Sequence, residues 1–287
     1  MKRNFIILIS ALLLLFPAIS SADNFLFRRI KPSSLERETE VFSIGNVKVI
    51  INSDYEKMSQ NMAKILMERI HQIAEEKGEV KIGLPTGNTP LRLYEILRTQ
   101  YGLDPVWGKV ILIQLDEYVG AGSHSPESFQ YQIRKAVADQ LNLKKFLGIN
   151  GDAEDIQAER ERYERELKEI GALDILVLGI GRNGHLAFNE PGFKTEGLVG
   201  IVELTEETKI ANGVDFTQAI TISLNMILQS REIFLLASGE GKKIPVERAL
   251  LGEVSFSCPA SFLQLHPQTT FILDEKAVTD RIRGEKR

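Results

Sequence analysis

The sequence predicts an α/β fold: a doubly wound, mostly parallel sheet with helices on both faces, of a modified Rossmann-like type. Apolar runs of strand length alternate with helical patterns along most of the chain. Some of these runs, such as Ile175–Leu178, are apolar at every position, which is typical of parallel strands buried on both faces. The 287 residues are 43% hydrophobic and 26% charged, and a chain of this length can bury a full core without disulfides.

The first half of the chain alternates three strands with three helices. Short apolar runs predict the strands, and helix 55–77 is supported by a cap at Ser53 or Asp54 and by apolar residues at three- and four-residue spacing. Helix 90–98 carries Pro90 in its first turn, where proline is tolerated. In chain order, the predicted elements are strand 48–53, helix 55–77, strand 80–84, helix 90–98, strand 110–115 and a helix over about 128–141.

The second half continues the alternation. Glu and Arg residues at three- and four-residue spacing support a charged helix over 153–170. The elements predicted after it are strands 175–178, 219–224 and 232–237, helix 243–250 and strand 270–273. Right-handed crossovers place every strand-to-helix loop at one edge of such a sheet, so the chemistry is expected there.

The N-terminus follows a secretory pattern. Lys2 and Arg3 precede an apolar run over 5–16, and small residues end the segment at Ala22. We predict a signal peptide over 1–22 and an exported protein, periplasmic or extracellular. The run is too short for a comfortable membrane span of about 20 residues, so no stable span is expected after cleavage. An uncleaved anchor or an unused start region is the alternative. The remaining predicted parts are an N-terminal extension over 23–47, one domain over 48–276 and a charged tail over 277–287.

Composition excludes several classes of protein. Cys258 is the single cysteine, which excludes a disulfide framework, and four scattered histidines do not predict a metal cluster. The net charge of −4 does not indicate binding to nucleic acid, which requires a positively charged surface. We therefore predict neither a metal site nor a nucleic-acid partner.

The first unusual loop, over 84–90, has the sequence Leu-Pro-Thr-Gly-Asn-Thr-Pro and follows a strand. Free backbone N–H groups at the start of the following helix, together with its dipole, suit a phosphate, and the Thr86 and Thr89 hydroxyls could add donors. Gly-Lys-Ser/Thr is absent, so this is not a Walker A loop. An ordinary capped turn fits the spacing equally well.

The second loop begins with the adjacent carboxylates Asp116 and Glu117 at the end of an apolar strand. Alternation along a strand lets one face the sheet edge while the other faces away. A partly desolvated carboxylate there suits proton transfer, and a pair of solvated acids is the alternative.

The third loop, over 178–191, combines three glycines with His185 and Glu190. Gly179, Gly181 and Gly184 allow close approach of a ligand to the backbone. A histidine–carboxylate pair moves protons near neutral pH, whereas the alternative is a structural histidine. Gly-x-Gly-x-x-Gly is present, but no acidic ribose ligand follows on a second strand, so a dinucleotide site is not predicted.

The fourth loop places Lys242 at the start of a helix, between strand and helix. A positive charge opposes the helix dipole at that position. Lys242 therefore points to a bound anion, unless it is simply a solvated lysine.

Together these motifs resemble the glucosamine-6-phosphate deaminase (isomerase) family, and most closely its galactosamine-6-phosphate deaminase branch. The resemblance covers about residues 45–276 and rests on the loops over 84–90, 115–120 and 178–191, on Ser-Pro-Glu-Ser over 125–128, and on the segments 239–242 and 259–266. The wider superfamily includes 6-phosphogluconolactonase, which usually reads Asp-Gly-His-Thr-Ala-Ser in the third loop. Asn-Gly-His-Leu-Ala-Phe-Asn-Glu-Pro stands here instead and favours the deaminase side.

The resemblance implies a mechanism without metal or organic cofactor. The substrate phosphate would bind at Gly87, Asn88, Thr89 and Lys242. His185, oriented by Glu190, would open the pyranose ring. Asp116 would move a proton from C2 to C1, and the resulting ketimine would lose ammonia to give the ketose 6-phosphate.

Three positions depart from the family pattern. Asn183 stands where many deaminases carry Asp, which gives an uncharged member to the catalytic group of Asn183, His185 and Glu190. Val214 stands where an arginine often follows Ala-Asn, so one phosphate contact is missing or supplied elsewhere. Gly200, Ile201 and Val202 occupy a stretch that is basic in the allosteric hexamers.

Two other functions remain open at this point. A 6-phosphogluconolactonase-type hydrolase would use the same fold and His185. A non-catalytic sugar-phosphate sensor would need a DNA-binding module to act as a regulator, and residues 23–47 are too short for one. The family resemblance also allows a homo-oligomer, and its sugar-phosphate substrates imply a cytoplasmic location as the alternative to export.

Overall fold

The computed structural model of the chain describes residues 39–285. The predicted signal peptide over 1–22 and most of the predicted extension over 23–47 lie outside the described residues, so export remains a prediction. Within 39–285, no helix is long and apolar enough to cross a membrane.

Eleven strands and eight α-helices make up the described part of the chain. The strands are β1 Glu40–Ile44, β2 Val47–Asn52, β3 Val80–Leu84, β4 Val110–Gln114, β5 Asp116–Tyr118, β6 Lys145–Leu147, β7 Ile175–Leu178, β8 Val199–Glu203, β9 Gln218–Ile222, β10 Glu232–Ala237 and β11 Thr269–Asp274. The helices are α1 Tyr55–Lys77, α2 Leu91–Tyr101, α3 Phe129–Ile133, α4 Ile156–Ile170, α5 Glu206–Asn212, α6 Leu224–Leu228, α7 Lys243–Leu251 and α8 Asp280–Gly284.

Eight strands form one sheet in the order β1-β2-β11-β10-β7-β3-β4-β6. All neighbouring pairs are parallel except β1 with β2 at the edge. Alternate residues of each central strand enter two separate apolar cores. In β7, for example, Leu176 and Leu178 pack in one core while Ile175 and Val177 pack in the other. The predicted doubly wound α/β fold is therefore confirmed, with a core on each face of the sheet.

Local chemistry explains where the longest helix begins and ends. The Asp54 side chain accepts a hydrogen bond from the Lys57 N–H, which selects Asp54 over Ser53 as the cap of α1. Gly78 ends the helix at φ +77°, a left-handed conformation that glycine adopts without steric cost. Helix 153–170 begins three residues later than predicted because Asp155 caps it at Ile156.

A second, antiparallel sheet in the order β5-β9-β8 departs from the prediction. The segment 219–224 was expected among the strands of the parallel sheet, and strands β5 and β8 were not expected. The chain leaves the main sheet after Gln114, and the Leu115 carbonyl then accepts a hydrogen bond from the Ile222 N–H. This switch of sheets places Asp116 in β5, beside Thr221 of β9.

Both boundaries of the predicted domain need correction. Strand β1 pairs with β2 along its whole length, so the domain includes residues that were assigned to the extension over 23–47. The segment 277–287 is not simply a tail, because it forms α8, whose Ile282 is fully buried in the core. The helix expected over 128–141 is α3 followed by a π-helical segment, Arg134–Ala138.

Candidate active site

One cavity of about 450 Å³ lies at the carboxyl ends of β3, β4, β7 and β10. Strand-to-helix loops of a parallel sheet meet at this edge, which is where the sequence placed the site. Seven of the eight predicted site residues line the cavity: Gly87, Asn88, Thr89, Asp116, Asn183, His185 and Lys242. The eighth, Glu190, lies buried behind the cavity wall, in contact with His185.

Asp116 faces the cavity from β5 and is only 7% exposed. Burial disfavours the charged form, and the neighbouring Glu117 carboxylate adds repulsion, so the pKa of Asp116 rises to about 8. A carboxyl group with such a pKa can both take up and release a proton near neutral pH. This is the environment expected of a proton-transfer group rather than of a solvated acid.

The Glu117 side chain points away from the cavity and has a structural role. Its carboxylate accepts hydrogen bonds from the Ser128 hydroxyl (2.7 Å) and from the N–H groups of Phe129 (2.9 Å) and Gln130 (2.7 Å). These bonds tie β5 to the start of α3 and fix the loop between them. The adjacent carboxylates are therefore divided as strand alternation predicted, one toward the cavity and one inward.

His185, Asn183 and Glu190 form a connected polar group at the end of β7. His185 Nδ1 lies 3.6 Å from Glu190 Oε2. The Asn183 amide donates to the same Glu190 oxygen at 2.7 Å, and its carbonyl oxygen accepts the His185 N–H at 3.1 Å. Asn183 therefore fixes the loop and the Glu190 carboxylate. Neither of these two hydrogen bonds involves the imidazole ring of His185.

Opposing influences set the pKa of Glu190. Burial alone would raise it, but hydrogen bonds and charge from His185, with hydrogen bonds from Thr208 and Asn183, hold the pKa of Glu190 below its usual value. Glu190 is thus an ionised partner for His185. Its other oxygen, Oε1, is buried without a hydrogen-bond partner among the described residues.

Gly181 makes room for the imidazole. A Cβ atom at this position would lie 2.4 Å from the His185 ring, closer than real Cβ contacts allow. The glycine is therefore needed for the observed position of His185, rather than only for approach of a ligand.

The loop 85–90 presents free backbone donors to the cavity. Gly87 has φ +89°, and the Asn88 carbonyl accepts from the Tyr55 hydroxyl at 3.2 Å. Within residues 39–285, no acceptor takes the N–H groups of Gly87, Asn88 or Thr89. Helix α2 starts directly after this loop without a side-chain cap, so its positive end also faces the cavity.

Lys242 and Arg182 bring two positive charges to the cavity. Lys242 Nζ donates to the Ile180 carbonyl at 2.5 Å, and burial together with the nearby Arg182 charge lowers the pKa of Lys242. No carboxylate of the described residues forms an ion pair with either side chain. Arg182 was not predicted, although its place in the glycine-rich loop next to Asn183 could have indicated it.

Helix α5 forms a cavity wall that the sequence did not predict. It contributes Glu207, Thr208, Ala211 and Asn212 to the cavity lining. Asn212 also donates to the Tyr118 hydroxyl at 2.9 Å, which ties α5 to β5. Seven residues without a clear apolar period gave no helical pattern, so neither the helix nor its side chains could be assigned.

Aromatic side chains complete the wall near Asp116. Phe129 and Phe188 line the cavity and stack with ring centroids 5.5 Å apart. Val214, at the position where an arginine was expected, packs against the apolar cluster that contains Phe188. The described part of the chain holds no group of three or more histidine, cysteine, aspartate or glutamate residues placed to bind a metal ion.

Comparisons with known proteins show the family of the chain. The family model described as glucosamine-6-phosphate isomerases/6-phosphogluconolactonase matches residues 53–272. Glucosamine-6-phosphate deaminase of Thermoanaerobacter pseudethanolicus is 37% identical over 243 residues, covering 81% of this chain and 94% of the relative. That of Halalkalibacterium halodurans is 37% identical over 242 residues, covering 81% and 97%.

Solved structures give the same picture of the fold. A monomeric glucosamine-6-phosphate deaminase superposes with a TM-score of 0.74 at 33% identity, covering 80% of this chain and 98% of that one. A 6-phosphogluconolactonase from Thermotoga maritima superposes with a TM-score of 0.68 at 21% identity, covering 80% and 100%. The latter likeness concerns the fold alone.

Proposed function

Because the chain belongs to the glucosamine-6-phosphate isomerase/6-phosphogluconolactonase family, we propose that it is an amino sugar phosphate deaminase. It converts glucosamine 6-phosphate, or the galactosamine epimer, and water to the ketose 6-phosphate and ammonia. The observation that carries the proposal is the buried Asp116 carboxyl group, with its pKa raised to about 8, in the same cavity as His185, which Glu190 contacts from behind the cavity wall.

The phosphate binds at the end of the cavity formed by loop 85–90 and Lys242. A phosphate monoester carries nearly two negative charges at neutral pH, and Lys242 with Arg182 supplies two positive ones. The free N–H groups of Gly87, Asn88 and Thr89 add directed donors. Binding there fixes one end of the sugar and leaves its C1 and C2 atoms for the deeper groups.

His185 opens the sugar ring. Glu190 faces Nδ1 of the imidazole, so the opposite nitrogen, Nε2, is the one available for proton exchange with the substrate. Transfer of the C1 hydroxyl proton and protonation of the ring oxygen break the C1–O5 bond. The open-chain aldehyde that results has an acidic hydrogen at C2.

Asp116 then acts as the base. Its carboxylate removes the C2 proton while O1 takes up a proton, which gives an enolamine. The same carboxyl group then delivers its proton to C1 as the amine nitrogen gives one up, and the product is the ketimine. Water adds at C2 of the ketimine and ammonia leaves, which gives the ketose. The raised pKa of Asp116 suits both halves of the transfer because neither protonation state is strongly favoured near pH 8.

An asparagine at position 183 avoids a second carboxylate next to Glu190. Its amide lies 2.7 Å from Glu190 Oε2, and an aspartate there would place two carboxylates in contact. One of such a pair would have its pKa raised strongly. Asparagine leaves Glu190 ionised beside His185.

Hydrolysis of 6-phosphogluconolactone is the main alternative reaction on this fold. Solved lactonases resemble this chain in fold at 20–21% identity, whereas the curated relatives named as deaminases reach 37%. Lactone hydrolysis also gives no role to a buried carboxyl group placed for proton removal from carbon.

A substrate panel on the purified protein tests the proposal. Glucosamine 6-phosphate, galactosamine 6-phosphate and 6-phosphogluconolactone are each assayed for ammonia, ketose phosphate and acid release. We expect equal amounts of ammonia and ketose phosphate from one of the amino sugars. Acid release from the lactone without ammonia from either amino sugar would contradict the proposal and support a lactonase instead.

Export through residues 1–22 is a separate proposal, supported by the sequence pattern alone. Expression in a bacterial host followed by intact-mass measurement of periplasmic protein tests it. Loss of the mass of residues 1–22 supports export, and an uncut chain in the cytoplasm opposes it. A homo-oligomer stays a prediction, for which light scattering is the measurement.

A further inference from the structure

The Nδ1 atom of His185 faces two oxygen atoms, and neither contact alone is a good hydrogen bond. Glu190 Oε2 lies at 3.6 Å and the Thr208 hydroxyl at 3.5 Å. Both oxygens belong to residues that are only 2% exposed, so water does not compete freely for them. The position of the imidazole therefore depends on how these oxygens share one N–H group.

The carboxylate decides which imidazole nitrogen carries the proton. An ionised carboxylate has acceptors only, so a lone pair on Nδ1 would repel Glu190. The proton therefore belongs on Nδ1, and the Thr208 oxygen can accept it as well. The Thr208 oxygen thus offers the Nδ1–H group a second acceptor beside the Glu190 carboxylate.

Thr205 holds Thr208 in this place. Its hydroxyl lies within hydrogen-bond distance of Thr208 Oγ1 (3.1 Å) and of Glu190 Oε2 (3.3 Å). The same oxygen caps α5 by accepting the Thr208 N–H at 3.3 Å. The first turn of α5 is therefore fixed to the carboxylate through both threonines.

We infer that Thr208 is a positioning residue, whose hydroxyl forms a bridge, through Thr205, between His185 Nδ1 and Glu190 and holds the imidazole in its Nδ1–H tautomer. The inference deepens the proposed function and rests on it for the role of His185. With the proton on Nδ1, the Nε2 lone pair is free to accept a proton from the substrate. Without the bridge, only the 3.6 Å contact with Glu190 favours that tautomer.

The test compares Thr208→Val with Thr208→Ser in the full chain. Valine keeps the shape of threonine but removes the hydroxyl, whereas serine keeps the hydroxyl and removes the methyl group. Nitrogen-15 NMR of the imidazoles reports the tautomer of His185 in the substrate-free protein, with His185→Gln to assign the signal among four histidines. Steady-state kinetics and a pH profile accompany it.

We expect Thr208→Val to shift His185 toward the Nε2–H tautomer and to lower kcat by about tenfold, a part of the usual contribution of general acid–base catalysis. KM should change by less than about twofold, because Thr208 acts through His185 rather than on substrate binding. Thr208→Ser should restore the tautomer and most of kcat.

An unchanged tautomer in Thr208→Val, or the same shift in Thr208→Ser, would overturn the inference. The second outcome would show that packing of the methyl group matters instead of the hydroxyl. Failure of the proposed function is distinguishable, since it would appear as absence of ammonia release by the wild-type protein. The NMR comparison needs no activity and decides the role of Thr208 in either case.

Discussion

Asp116 and Glu117 are adjacent in the chain, yet the fold gives them opposite surroundings. Glu117 receives hydrogen bonds from Ser128, Phe129 and Gln130, whereas Asp116 faces the cavity with burial and repulsion acting on it. The sequence predicted that one of them would face the sheet edge. It could not say which acid would be desolvated, because that depends on the switch of the chain from β4 into the second sheet.

The raised pKa of Asp116 predicts a pH-dependent cost to stability. The folded state holds the Asp116 proton up to about pH 8, whereas the unfolded chain releases it near pH 4. The folded state therefore binds more protons in this window, and wild-type stability falls as the pH rises through it. Asp116→Asn is neutral throughout, so it should become more stable than wild type toward pH 8, by on the order of a few kcal/mol.

Thermal unfolding of both proteins between pH 4 and pH 9 measures this difference. The two stabilities should approach each other at the acidic end and separate toward the basic end. Parallel curves across the range would mean that the Asp116 carboxyl group is not strongly perturbed.

Lys242 and Arg182 are expected to act on binding more than on turnover. Phosphate contacts persist from ground state to transition state, so Lys242→Ala should raise KM about tenfold or more and change kcat less. Arg182→Ala should act in the same direction. Lys243→Ala is the matched control, since Lys243 pairs with Glu240 at 2.7 Å and does not line the cavity. An unchanged KM in Lys242→Ala, with the fold intact, would place the anion site elsewhere.

At the scale of elements, the loop after β7 carries most of the chemistry. Its motif was readable because His185, Glu190 and the glycines are close in sequence. The contribution of α5 could not be predicted, because its cap Thr205 and its residue Thr208 approach Glu190 and His185 only in the tertiary fold. Ala187 in the same loop has φ +49°, a left-handed conformation that costs energy for alanine and that no sequence pattern indicated.

Gly181→Ala tests whether this loop positions the imidazole sterically. The added Cβ would lie 2.4 Å from the His185 ring, which must then move. We expect kcat to fall at least about tenfold while the fold is retained, because losing a placed acid–base group is costly. Gly179→Ala is a control for the ring position, since its Cβ meets nothing within 4 Å and the NMR signals of His185 should stay in place. Wild-type kcat in Gly181→Ala would show that the ring position is not critical.

At the scale of the whole molecule, the parallel sheet and its helices were predictable because strand and helix periods are local properties. The second sheet was not, because β5 has only three residues and pairs with β9 about 100 residues further along the chain. The predicted boundaries were wrong for a different reason: β1 pairs with β2, the next strand in the sequence, and Ile282 is buried in the core on one face of the main sheet.

The apolar stretch over 197–202 predicts that N-acetylglucosamine 6-phosphate does not activate the enzyme. Val199 and Val202 are buried in β8, and the Gly200 backbone packs against Phe193, so this stretch offers no cation to a second phosphate. An effector without differential affinity for two states shifts nothing. Rate against substrate should be hyperbolic with or without the effector. A sigmoidal curve that the effector makes hyperbolic would show that other cations build an effector site, such as Lys194 or, outside the described residues, Arg28 and Arg29.

The central claim is that Asp116 removes the hydrogen at C2 of an amino sugar phosphate, and the fate of that hydrogen tests it most directly. Glucosamine 6-phosphate is converted in D2O by wild-type protein and by Asp116→Asn, and the ketose phosphate is analysed for deuterium at C1. We predict deuterium at C1 with ammonia release for wild type, and ketose formation at least about a hundredfold slower for the variant, which should still bind the sugar phosphate. Near-wild-type ketose formation by Asp116→Asn would contradict the account.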